Sequence, residues 1–313
     1  MKVLGGDYRS WVPLDRPTAV TIGVYDGVHL GHQHVLQTLG AAGLPLVVVT
    51  FSNHPASVIA PETAPRLLTT VEERLERLAD LGVHATAVID FDDEFRRLSA
   101  EDFVEKILVA TLRAERVAVG RGFRFGHRQL GDVTLLRTLG EHHRYSVEDV
   151  DILEEGVPVR STVIRALLKE GHAVAARRLL GRAYRLAGVV VPGDQRGRTI
   201  GFPTANLAIS DGSVVPGSGV YAVRILIDGV FHDGVVNIGR RPTFGGSEYV
   251  VEAHVLDYSG DLYGQKIGLD FVERLRSEQK FSGVDELVQA IHKDIAAARE
   301  LLSSGGSDDT NAS

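Results

Sequence analysis

Along the first half of the chain, short apolar runs alternate with stretches whose apolar positions recur every three or four residues. The runs at 19–22, 46–51, 85–89 and 117–119 lack polar alternation, as strands buried on both faces do, and 145–150 is a further strand-like run. Between them, 32–41, 71–81, 101–113 and, more weakly, 132–141 show helical spacing. Thr70 with Glu73, and Ser99 with Asp102, are spaced to cap two of these helices. Residues 1–17, which include Pro13 and Pro17, predict irregular structure. Strand and helix in alternation predict a parallel α/β sheet covered on both faces, which binds ligands beyond the carboxyl ends of its strands.

The texture then changes twice. From 161 to 180 the pattern is helical, with Ser161 or Thr162 as the N-cap and Gly181 as the stop. From Tyr184 onward, runs at 184–191, 219–227, 231–238, 249–256 and 267–272 read as short strands, and Asp228-Gly229 marks a hairpin turn. This predicts a small antiparallel β-barrel. A terminal amphipathic helix follows, with Val284, Leu287, Ile291, Ile295, Ala298 and Leu302 on one face and Ser282 as its cap. The Gly, Ser, Asp and Asn tail predicts disorder. The expected organisation is an α/β domain over 1–182, a barrel domain over 183–302 and a tail over 303–313.

Composition narrows the class. The chain has 313 residues, enough for two full cores, and its net charge of −7 argues against a nucleic-acid surface. Zero cysteines leave neither disulfides nor thiolate metal sites. The N-terminus lacks a basic-then-apolar leader and no run approaches a membrane span, so a cytoplasmic protein without a membrane partner is expected. Self-association into a homo-oligomer is left open.

The candidate chemistry lies in a few stretches. Gly23 to His32 reads G-V-Y-D-G-V-H-L-G-H, a polar elbow between a buried strand and a helix. A helix start there offers free N–H groups to phosphate, and His29 and His32 add donors. Their spacing of three differs from the four usual in helical zinc pairs, so phosphate is preferred to metal. Ser161, Thr162 and Arg165 read either as a plain helix start or as a phosphate holder. In the second half, Gly197 and Gly201 let backbone approach a ligand, and Thr204 and Asn206, beside Pro203, supply neutral oxygens suited to Mg²⁺. Glu252, amid apolar neighbours, is either an exposed carboxylate or a positioned base. Arg276, Glu278 and Phe281 read equally as a solvated approach to the last helix.

Over nearly its whole length the sequence resembles the bacterial bifunctional riboflavin kinase/FAD synthetases. In the first half, the elbow motif, T-F-S-N-H-P at 50–55, G-F-R-F-G at 122–126 and S-T-V-I-R at 161–165 carry the resemblance. In the second, G-R-T-I-G-F-P-T-A-N-L at 197–207, V-N-I-G-R-R-P-T-F at 236–244, V-E-A-H-V-L-D at 251–257 and L-R-S-E-Q-K-F at 275–281 carry it. The resemblance implies a Rossmann-like nucleotidyltransferase domain followed by a flavokinase barrel. The barrel would move the ATP γ-phosphate onto riboflavin, with Thr204 and Asn206 holding Mg²⁺ and nucleotide, Glu252 as base, and Arg276, Glu278 and Phe281 near the flavin. The first domain would join FMN to the AMP part of ATP and release pyrophosphate. There His29, His32, Ser161, Thr162 and Arg165 match ATP-phosphate contacts, with Gly23, Asp26 and Gly31 of the elbow beside them. His54, Pro55, Phe123 and Phe125 match the flavin site. Tyr25 stands where the family usually has Phe, Gly122 where it has Asn or Asp, and Arg160 is shifted by two from the family's arginine. The alternative is a kinase whose first domain binds nucleotide with little catalysis.

Overall fold

The computed structural model describes residues 1–41, 43–193, 197, 200–243 and 246–304. The chain divides into two compact units, Met1–Ser161 and Thr162–Ser313. The five strands expected in the first half all form: β2 (Thr18–Ile22), β3 (Leu46–Phe51), β4 (Ala85–Ile89), β5 (Ala114–Gly120) and β6 (Ser146–Val150). Every residue of β2 and β4 is buried, which is why these runs lack polar alternation. A further strand, β1 (Lys2–Leu4), pairs with β4 in the stretch expected to be irregular. Three residues carry no readable period; the edge of β4 specifies this strand. The sheet order is β1-β4-β3-β2-β5-β6, with every pairing parallel. The chain moves outward from β2 in one direction and returns to its other side with β5. The carboxyl end of β2 is therefore a topological switch point.

Helices α1 (Leu30–Gly40), α2 (Ala56–Ile59) and α3 (Val71–Asp80) follow β2 and β3. Helix α3 opens on the expected capping box, Thr70 with Glu73. The helix expected over 101–113 starts as one ordinary turn, Ala100–Asp102, and continues through Phe103–Thr111 with wider i→i+5 bonding; together they form α4. Its side chains build much of the core, including Phe103, Val104, Ile107 and Leu108. Helix α5 (Val133–His143) completes the set.

The single helix expected over 161–180 is two, α6 (Ser161–Lys169) and α7 (Ala173–Leu180). Gly171, at φ +84°, makes the break. A Cβ there would approach Tyr221 Oη and Arg274 Cδ to 2.9 Å, so glycine is required twice over. Apolar positions continue in register across the break, which hides it from the sequence. The barrel strands are β7 (Tyr184–Val191), β8 (Ala205–Ile209), β9 (Gly219–Ile227), β10 (Val230–Thr243), β11 (Gly246–Val255) and β12 (Lys266–Arg276). They close in the order β10-β11-β8-β7-β12-β9, all antiparallel. Asp228 and Gly229 both take positive φ in the β9–β10 turn, as its sequence predicts. Strand β8 was not expected, because Pro203 and alternating polar residues mask it.

The last helix, α8 (Val284–Ser304), buries Ala298 and Leu302 against Val220, Ala222 and Val235. Ser282 does not cap it as expected: its own N–H and hydroxyl both donate to Glu286, at 2.9 and 2.7 Å. Disorder was expected over 303–313, but Ser303 and Ser304 form the end of α8, and residues 305–313 lie outside the described residues.

Candidate active sites

The elbow after β2 is held in a strained backbone. Tyr25 and Val28 adopt φ of +53° and +40°, a region that costs a β-branched residue most. Tyr25 Oη bonds Thr21 Oγ1 at 2.9 Å, and burial pushes its phenol well above the usual range. Asp26, expected among the nucleotide contacts, is instead buried: its carboxylate accepts from the amides of Leu68 and Thr69 at 2.8 and 3.1 Å. Those charge-assisted bonds fix the elbow from within.

His29 is the N-cap of α1, and its Nδ1 accepts the His32 N–H at 3.3 Å, which leaves Nε2 to carry the proton. The two imidazoles stack at 3.7 Å and 15°, and His32 stacks in turn on Tyr25 at 4.5 Å. Burial, then His29 and Arg74, hold His32 well below the usual histidine range, so it is neutral at physiological pH. Its Nδ1 is buried without a hydrogen-bond partner. Gly31 suits the tight space here, since a Cβ would meet Val159 O at 3.0 Å and the His29 ring at 3.1 Å. The Ser161 hydroxyl, expected to cap a helix, donates to Asp26 O at 3.0 Å and so fastens residues 135 positions apart. Of the other two residues of that motif, Thr162 is exposed and Arg165 is buried, both near the start of α6.

Beside the elbow a largely apolar cleft of about 750 Å³ opens across the carboxyl ends of the strands. It brings together Gly23, His54, Pro55, Phe123 and Phe125, as expected. Phe123 and Phe125 are stacked at 5.5 Å, and His54 Nδ1 accepts the Ala56 amide at 3.1 Å at the start of α2. Phe91 and Phe95 line the same cleft, as do Arg97 and Arg128, all unforeseen. Spacing by four gave a signal for the two phenylalanines; nothing local distinguished the arginines from solvated charge. Gly122 takes φ +80° with open space around it. The turn needs a left-handed residue, which Asn, Asp or Gly can each supply.

In the barrel, a cavity of about 400 Å³ is lined by Gly197, Thr204, Glu252, Arg276, Glu278 and Phe281. Six expected residues thus converge from the 197–204 loop, β11 and the segment after β12. A second cavity, about 500 Å³, is lined by Pro203, Thr204, Tyr258, Asp261 and Tyr263, and Thr204 belongs to both. The 258–263 loop was missed, because turn residues flanking two tyrosines look like any hairpin connection. Gly201 has φ +89°, and residues 194–196, 198 and 199 of the same motif lie outside the described residues.

Asn206 pairs with Glu252 across β8 and β11, and Asn237 flanks Glu252 on β10. The Asn206 amide lies so close to Gly193 that a Cβ there would be 2.1 Å from Nδ2. Arg276 reaches the cavity with its guanidinium already held by Asp294 of α8, at 2.9 Å from both Nε and Nη2. It also lies 5.5 Å over the Phe281 ring. Among the described residues, no three His, Asp or Glu are grouped to hold a metal. Thr204 and Asn206 offer neutral oxygens beside a carboxylate, a hard donor set that fits Mg²⁺ when phosphate oxygens and waters fill its remaining positions.

Comparison with known proteins agrees with both halves. The family model for FAD synthetase matches residues 12–163, and that for riboflavin kinase matches 180–302. The bifunctional riboflavin kinase/FMN adenylyltransferase of Escherichia coli (strain K12) is 39% identical over 96% of this chain and 98% of its own. That of Bacillus subtilis (strain 168) is 34% identical over 88% and 90%. A solved Streptococcus pneumoniae structure described as a macrolide-efflux protein superposes with TM-score 0.88 at 29% identity, covering 96% of this chain and 99% of its own. Among the described residues, no helix here is long and apolar enough to cross a membrane. On these grounds the chain belongs to the bifunctional riboflavin kinase/FMN adenylyltransferase family.

Proposed function

We propose that the barrel phosphorylates riboflavin to FMN with ATP, and that the parallel-sheet unit adenylylates FMN to FAD with release of pyrophosphate. Residues 1–182 serve the second reaction and 183–302 the first. The observation that carries the reading is the junction at Thr204, one side chain shared by two cavities of which one also holds Glu252. Two substrates in adjoining cavities would meet there.

In this reading the flavin ring lies against Phe281 in the smaller cavity and ATP occupies the cavity lined by Tyr258 and Tyr263. Glu252 takes the proton of the riboflavin 5′-hydroxyl as its oxygen attacks the γ-phosphorus and ADP leaves. Thr204 and Asn206 would hold Mg²⁺, which when bound would supply charge neutralisation at the phosphates. Asp294 keeps Arg276 oriented at the cavity wall. In the other unit, a phosphate oxygen of FMN attacks the ATP α-phosphorus. His29 offers its Nε2–H and α1 its free amides to the charge that builds there, while the apolar cleft holds the flavin. Asp26 and Ser161 keep the elbow in place and do not bind nucleotide directly. All substrates are small and water-soluble, and we assign the enzyme to the cytoplasm.

The test is a time course of riboflavin, ATP and Mg²⁺ with the full chain, resolved by chromatography. FMN followed by FAD and pyrophosphate is the expected result. FMN that never becomes FAD, even when supplied as substrate, would sink the adenylylation half and leave the kinase.

A further inference from the structure

Helix α3 turns Arg74 and Leu78 inward. A leucine there is ordinary; an arginine is not. Arg74 is only 1% exposed, and its Nε and Nη2 have no hydrogen-bond partner. Asp26, which attracts it electrostatically, is engaged by the Leu68 and Thr69 amides. A buried guanidinium so sparsely satisfied costs several kcal/mol by general experience, and an apolar side chain of similar length would fill the site more cheaply. The protein keeps a charge where stability does not ask for one.

What Arg74 does touch identifies its use. Its Nη1 donates to Phe51 O at 2.6 Å and to Thr50 Oγ1 at 3.1 Å, at the end of β3. Thr50 Oγ1 donates in turn to Val24 O, at 2.8 Å, in the elbow. Val24 and Phe51 both line the apolar cleft. One side chain therefore ties together the two strand ends between which the cleft opens. Its charge also reaches His32, the middle ring of the Tyr25–His32–His29 stack.

We propose that Arg74 is a positioning residue for FMN adenylylation: it fixes Val24 and Phe51 in the cleft wall and sets a permanent positive charge close to the paired histidines. The proposal rests on the reading that this elbow carries out adenylyl transfer. That reaction brings a phosphate monoester up to a triphosphate, and its transition state gathers negative charge. A preorganised cation in a water-excluded place stabilises such a state without reorganising. Because the guanidinium touches neither substrate, its loss lowers turnover more than binding.

The experiment uses the full chain with R74M and R74K. R74M is expected to form FAD from FMN about 100-fold more slowly. Its KM values for FMN and ATP should stay within about threefold of the parent's. Riboflavin phosphorylation by the same preparation should be unchanged, and urea denaturation followed by circular dichroism should show the first unit folded. R74K, which keeps the charge, should recover most of the lost turnover. FAD formation by R74M at the parent rate would overturn the proposal. A loss that follows the unfolded fraction, or an R74K no faster than R74M, would overturn it too. A parent chain that binds FMN yet makes no FAD would instead overturn the adenylylation reading on which the proposal stands.

Discussion

In the parallel-sheet unit, the groups proposed to meet the charge at the reacting phosphorus come from a single stretch, Gly23 to His32, bent by strained backbone at Tyr25 and Val28. In the barrel the residues of the proposed site come from scattered places: Thr204 before β8, Glu252 on β11 and Arg276 at the end of β12, with Asp294 of α8 behind. Two carboxylates sharpen the contrast. Asp26 is buried and bound by two amides, whereas Glu252 lines an open cavity. A compact motif needs its acid to hold the motif together; a dispersed site, already held by the barrel, places its acid at a cavity wall. An acidic residue inside a signature motif is therefore not thereby a reactive one.

The largest expected effect separates the sites outright. E252Q should lower riboflavin phosphorylation about 1,000-fold and leave FAD formation from FMN untouched. H29A should do the reverse, slowing FAD formation about 100-fold with the kinase intact. Both reactions measured on each purified variant decide the matter, and a parallel loss in either variant would break the separation.

A middle-sized effect tests the claim about Asp26. D26N can keep Oδ1 for both amides but puts an NH₂ group where Oδ2 lies 3.1 Å from the Leu68 amide. It also removes the charge that strengthens these bonds, so it should cost about 2 kcal/mol of stability, read by urea denaturation of the first unit. If D26N unfolds like the parent but cannot bind ATP, Asp26 is a ligand after all and the contrast with Glu252 collapses.

The smallest is a slope with pH. In the folded chain His32 is held well below its ordinary value of 6.5, while the unfolded chain takes up a proton near that value. Stability present above about pH 6.5 is thus lost as pH falls, by up to about 1.4 kcal/mol per unit. H32F, which preserves a ring in the stack, should flatten the dependence between about pH 6.5 and about pH 5. An unchanged slope in urea midpoints would show that His32 is not neutral in the native state.

How far the sequence could be read follows the same division. The β2 elbow, the capping box at Thr70 and the β9–β10 turn are local, and local patterns displayed them. The convergence of Thr204 and Glu252 is long-range, so spacing alone left Glu252 undecided and the family resemblance was needed to assign it. β1 was hidden because its partner, 83 residues away, specifies it. The break at Gly171 escaped notice because what demands it, Tyr221 and Arg274, belongs to the barrel. Arg74 looked like one more charge on an amphipathic helix; only its burial sets it apart.

The sheet order has one more outcome, for solubility. The barrel closes on itself, while the parallel sheet ends in two edges, β1 and β6. One is three residues long and begins with Lys2; the other carries Glu148 and Asp149. A short basic edge and an acidic one are poor templates for a neighbouring copy's strand. Growth of this sheet by adding strand to strand is thereby guarded against at both ends.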